Sequence, residues 1–200
     1  MKNLIILFAI LFCLSTQQSF PQLKMEFNGG YIHTINHENV FSHIDGGAQG
    51  SIVVLYPLSQ SVDLSGKFVY QSRSFDKNSF SFVIPLVAGY PIPNITDGDN
   101  LKSYGIMLGT RLTSKTNSLI NTFLNAEAGL IYHSDSYYEL NEISKIKYSD
   151  SKILFEYAVG LGFKVNLSNN YALIFDGKLA HIPSESNFYF PINLGFQLLL

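Results

Sequence analysis

Three residues near the C-terminus, His181, Ser184 and Glu185, are of the types that build a hydrolytic site. In such a site an imidazole takes the proton of a serine hydroxyl and a carboxylate orients the imidazole. Here Pro183 intervenes and His181 and Ser184 are three apart, a spacing that sets them on opposite faces of a strand. Polar residues of a rim loop explain them as well. A second group, His33, His37 and His43 with Glu38 and Asp45, carries the nitrogen and oxygen donors that suit zinc or copper. Its spacing matches no closed ligand motif, and most of it reads as a solvated loop. Asp97-Gly98-Asp99-Asn100 opens like a calcium loop but has no glutamate at the twelfth position, so it reads as a turn. Gly160 and Gly162 lie within an alternating run with no helix after them, which excludes a dinucleotide loop. No cofactor is implied.

The remaining charged candidates form a pattern. Lys24, Glu26, Asp63, Lys67, Arg111, Glu127, Glu156, Lys164, Asp176 and Lys178 each fall on the less apolar face of a run that alternates with period two. The clearest run is Ile153 to Val165, where Ile153, Phe155, Tyr157, Val159, Leu161, Phe163 and Val165 face one way. Leu154, Glu156, Ala158, Gly160, Gly162 and Lys164 face the other. Leu167-Ser168-Asn169-Asn170 makes a tight turn, and the pattern resumes to His181 with Asp176 and Lys178 on the charged face. Small residues share a face with charges while aromatics fill the opposite one. A narrow polar lumen inside a lipid-facing wall explains that division.

The totals agree. Of 200 residues, 14% are charged, below the usual quarter, and 14% are aromatic. A net charge of −2 argues against nucleic acid. Lys2 followed by the apolar stretch Leu4–Leu14 reads as a secretory signal over residues 1–21, too short to span a bilayer as a helix. Cys13, the single cysteine, lies in it after Phe12, where a lipid-attachment signal wants a small residue. Residues 22–200 then form one domain.

Further alternating runs begin at Leu23, Gly47, Val62, Ser79, Tyr104, Thr122 and near Phe190. Thr34–Asp45, Asp76–Asn100 and Ser134–Ser151 read as outer loops, and Leu58-Ser59-Gln60-Ser61 repeats the turn at Leu167. Pro85 demotes the run at Ser79–Tyr90 from a spanning strand to an extension of a loop. Eight strands result, and a ten-stranded barrel would need another strand within Ser134–Ser151. Tyr137, Tyr138, Tyr148, Phe188 and Tyr189 are expected in an interfacial aromatic girdle.

The runs Phe155–Phe163 and Phe123–Leu130, the turn Leu167–Asn170 and the closing Pro191–Phe196 resemble the small outer-membrane β-barrel family of OmpA/OmpX type. The resemblance is nearest to the Bacteroidetes-like outer-membrane β-barrel domain. Such barrels commonly end in an aromatic residue, where this chain has Leu200. The resemblance implies an all-β, antiparallel, up-and-down transmembrane barrel in a bacterial outer membrane. It also implies a monomer among lipid and lipopolysaccharide, with outer loops free to meet an extracellular protein or surface. The lumen charges are expected to pair and plug an interior only just wide enough for side chains. Two alternatives use the same residues. One is a lipid A hydrolase built on His181, Ser184 and Glu185, although the small deacylase barrels place His and Ser two apart. The other is a soluble periplasmic barrel whose apolar faces turn inward around an apolar ligand, since alternation does not say which face is inside.

Overall fold

The structure is a computed structural model that describes residues 22–35, 44–75, 94–114, 119–140, 145–185 and 187–200. The leader, His37, Glu38, His43 and the run at Ser79–Tyr90 lie outside the described residues. Eight strands follow in chain order: β1 (Lys24–Ile35), β2 (Ile44–Pro57), β3 (Val62–Phe75), β4 (Asn94–Thr113), β5 (Ile120–Leu140), β6 (Lys145–Asn166), β7 (Tyr171–Ile182) and β8 (Asn187–Leu199). Each pairs antiparallel with its neighbours, and β1 pairs with β8 to close the barrel. Eight strands therefore stand, not ten.

Alternation decides which side chains go inside. Ile106 is 67% exposed and Ile153 69%, whereas Glu26 is wholly buried. Apolar residues form the outer wall and the charges line the lumen, so the inverted soluble barrel does not hold. The two tight turns are built alike. In one, the amides of Leu58 and Ser59 donate to the carbonyl of Val62 and the amide of Ser61 donates to Ser59 Oγ. In the other, Leu167 and Ser168 donate to Tyr171 and Asn170 donates to Ser168 Oγ. The serine hydroxyl satisfies a turn amide in each. Both turns and both ends of the barrel domain lie at one end, where the amide of Leu200 donates to the carbonyl of Leu23.

Three loop expectations are corrected. Asn94–Asn100, expected within a loop and as a calcium-like turn, belongs to β4, with register shifts between Ile95 and Asp97 and between Asp99 and Lys102. Ser134–Ser151 is almost entirely strand, since β5 runs on to Leu140 and β6 starts at Lys145. Thr34 and Ile35 belong to β1, and Ile44 and Asp45 to β2. In β4, β5 and β6 the backbone ladder continues into stretches whose sequence no longer alternates apolar with polar residues. As a result β4, β5 and β6, at 20, 21 and 22 residues, rise on one side well beyond the other strands.

Inward glycines leave room for long lumen side chains. A Cβ on Gly160 would lie 2.5 Å from Cγ of Lys178, and one on Gly162 would lie 2.5 Å from Cζ of Phe123. Outward Gly66 faces open space, with its nearest neighbour, Cδ2 of Leu108, 4.0 Å away. Gly160→Val should therefore cost about 1–3 kcal/mol by overpacking, read as a lower urea midpoint for the barrel in detergent, while Gly66→Val should leave the midpoint unchanged.

Candidate functional site

The lumen holds the chemistry, and period two puts it there. Three levels can be followed from the end that carries the termini. At the first, Arg111 makes a forked ion pair with Glu26: Nη1 donates to Oε1, and Nη2 donates to Oε2 at 2.8 Å. Its Nε donates to Asn125 Oδ1 at 2.9 Å, and its guanidinium lies 4.3 Å from the centre of the Phe123 ring. Gln197 donates to Glu26 Oε1 at 2.7 Å, and Lys24 pairs with Asp63 at 2.8 Å. Lys164 is half-buried at the same end.

At the middle level Glu127 receives two ammonium groups, Lys67 at 2.8 Å and Lys178 at 3.0 Å. Lys178 also lies 3.6 Å from Asp176, which accepts from Asn193 Nδ2 at 2.6 Å. Gln49 donates in turn to Asn193 Oδ1. Two lysines and two carboxylates balance here. Desolvating charges is costly, and only close pairing with further hydrogen bonds offsets it.

The level nearest the opposite rim is of another kind. Ile32, Ile131, Leu154, Ala158, Ala180, Ile182 and Tyr189 form a buried apolar cluster across the lumen. Arg73 lies against it, 5.0 Å from the centre of the Tyr189 ring, with Nη2 3.4 Å from Nε2 of buried His133. Glu156 lies beside Tyr189. Tyr189, expected in the girdle, is thus a lumen residue, because it alternates with the outward residues Phe190 and Ile192. Phe188 faces outward. Arg73, His133 and the apolar lumen residues stand beyond the ten charges singled out from the sequence, and their parity within β1, β3, β5, β6, β7 and β8 was the signal for them. Backbone register pairs Tyr137 with Tyr148 and Tyr138 with Lys147 in the part of β5 and β6 beyond the belt.

The catalytic candidates are set apart. His181 stacks on Phe188 at 4.0 Å between ring centres and meets the edge of Tyr157 at 5.3 Å, on the outer wall. Ser184 is exposed in a single 3-10 turn, Pro183–Glu185, beyond the strand end. Of the metal candidates, His33 is exposed on the outer face of β1, away from the lumen. Among the described residues no three His, Cys, Asp or Glu side chains gather to hold a metal. Asp99 and Asn100 are exposed in the strand.

Removing one partner from a buried ion pair leaves an uncompensated charge. Glu127→Ala should lower stability by about 3–5 kcal/mol, read from urea unfolding in detergent, and adding Lys67→Met to it should recover part of the loss.

No protein-family model matches the chain, and no curated protein matches it. Solved structures do. Neisserial surface protein A matches with a TM-score of 0.60 at 12% identity, over 89% of this chain and 97% of that one. Ail, the attachment invasion locus protein of Yersinia pestis, matches with a TM-score of 0.53 at 13% identity, over 90% and 97%. A major outer membrane protein from Thermus thermophilus matches with a TM-score of 0.55 at 9% identity, over 89% and 99%. At these identities the likeness is one of fold, and what this chain shares with those proteins is the closed, antiparallel, eight-stranded β-barrel.

Proposed function

We propose that this chain is a non-enzymatic protein of a bacterial outer membrane, exported by a signal peptide over residues 1–21 and folded from residue 22 as a monomeric barrel. The observation that carries this reading is the combination of an apolar outer wall with an interior closed by paired charges and an apolar layer. A soluble protein has no use for that many large apolar side chains in contact with water. A bilayer requires them, together with a closed backbone ladder. Its surroundings are outer-membrane lipid and lipopolysaccharide, and its finer kinship is with the OmpA/OmpX-type barrels of Bacteroidetes-like form.

The lumen acts as a plug. Ion pairs tie β1, β3, β4, β5 and β7 across it, and the apolar cluster around Tyr189 fills a further layer. The role is structural or one of surface contact, made by the long strands β4, β5 and β6 and by the loops opposite the termini. A hydrolytic role for His181, Ser184 and Glu185 is disfavoured by the aromatic clamp on His181 and the exposed position of Ser184.

On this reading the protein should fractionate with outer membranes and migrate differently in gels with and without boiling. It should give no stable single-channel conductance in planar bilayers. Recovery in the soluble periplasm without a heat shift would overturn the membrane assignment, and a large stable conductance would overturn the plug. Ser184→Ala should leave lipid A acylation in cells unchanged, and a changed acylation pattern would instead support the hydrolase.

A further inference from the structure

On the outer wall two open glycines lie side by side. Gly29 of β1 and Gly50 of β2 are direct cross-strand partners, and both face outward. A Cβ on Gly29 would meet nothing within 4 Å, and one on Gly50 only the carbonyl of Asn28 at 3.8 Å. Phe27, Ile52, Phe68 and Tyr70 border the gap, leaving an open apolar groove of about 490 Å³. Outward Gly177, by contrast, lies under the ring of Phe190, which a Cβ would meet at 3.1 Å.

Above the groove, toward the rim opposite the termini, the chemistry changes within one step of the pleat. Tyr70, Tyr104 and Tyr132 are successive partners across β3, β4 and β5, with the first two rings 5.1 Å apart. The next outward row is Ser72, Lys102 and Ser134, again direct partners. Lys102 is exposed and has no carboxylate partner among the described residues. With strands about 4.8 Å apart and tilted by about 40°, Lys102 stands nearly straight above Gly50, roughly 11 Å nearer the rim. One ammonium between two hydroxyls, just above a row of tyrosines, is a donor set for a phosphate at the headgroup level.

We propose that this face is a binding site for a phosphorylated glycolipid of the outer leaflet, with its phosphate on Ser72, Lys102 and Ser134 and one acyl chain in the groove at Gly29 and Gly50. The inference rests on the outer-membrane reading above. The groove supplies the apolar contact and the lysine the charge complementarity. The distance between them runs along the barrel axis, the direction in which a lipid extends. Zwitterionic lipid can fill the groove, but its phosphodiester is already balanced by its own ammonium group and offers Lys102 less than a phosphomonoester does.

The test uses the full barrel in phosphatidylcholine nanodiscs containing a small fraction of lipid A, with bound lipid counted by native mass spectrometry. Lys102→Ala and Gly50→Leu should each reduce lipid A occupancy at least fivefold, Lys102→Arg should retain it, and dephosphorylated lipid A should bind like the Lys102→Ala variant binds lipid A. Gly50→Leu enters open space, and retention of the heat shift shows that each variant is folded. Unchanged occupancy in both loss variants would overturn the proposal, as would equal retention of phosphatidylglycerol in place of lipid A. Failure of the wild-type protein to insert into the discs would overturn the membrane reading itself and this site with it.

Discussion

The pairing of β1 with β8 is the contact on which the rest depends. An open sheet would leave two edges of unpaired amides and carbonyls, and hydrocarbon offers them no partner. The ladder from Lys24–Leu199 to Ile35–Phe188 removes both edges at once. Closure then has a geometric consequence. Every strand has one face inside and one outside, so parity along the chain becomes a decision between outer wall and lumen. The lumen is too narrow to hydrate charges freely, so inward charges are drawn to counter-charges on other strands. Glu127 between Lys67 and Lys178, and Glu26 in the fork of Arg111, are the outcome.

That chain of constraints explains what could be read in the sequence. The strands inside the belt were legible, because Ile153–Val165 and Tyr104–Leu112 contrast large apolar residues with small or charged ones at most steps. The extensions of β5 and β6 were not, since Ser134–Leu140 and Lys145–Ser151 are polar on both faces and period two leaves no trace. The reverse failure occurred in the lumen. Val69, Met107, Ile131 and Ile182 are apolar on the inward face, so local contrast vanishes there as well, and only counting from a secure neighbour recovers their direction. Tyr189, between two phenylalanines, is the plainest example. The ion pairs themselves join residues up to 85 apart in the chain, as in Arg111 and Glu26, and no local pattern announces such a partner.

The two kinds of lumen filling do different physical work. The charged levels bind specific strands together and penalise any slip of register, since a shift by one residue would carry Glu127 or Arg111 to the apolar outer wall. The apolar level around Tyr189 is indifferent to register in that sense but excludes water from the charges beneath it. Removal of water strengthens their attraction. Specificity and exclusion are thus divided between the end near the termini and the end near the opposite rim.

The unequal strand lengths have a mechanical consequence. Leu140 lies eight residues beyond Tyr132, so the blade formed by β4, β5 and β6 reaches roughly 26 Å past the tyrosine row along the strand direction. A pull on its tip acts along the strands and shears many ladder hydrogen bonds together, whereas a sideways pull on a loop would peel them one at a time. Two of these strands carry Arg111 and Glu127 on their inner side, so tension applied along the blade would be borne by the stretch of wall that these ion pairs cross-link to β1, β3 and β7.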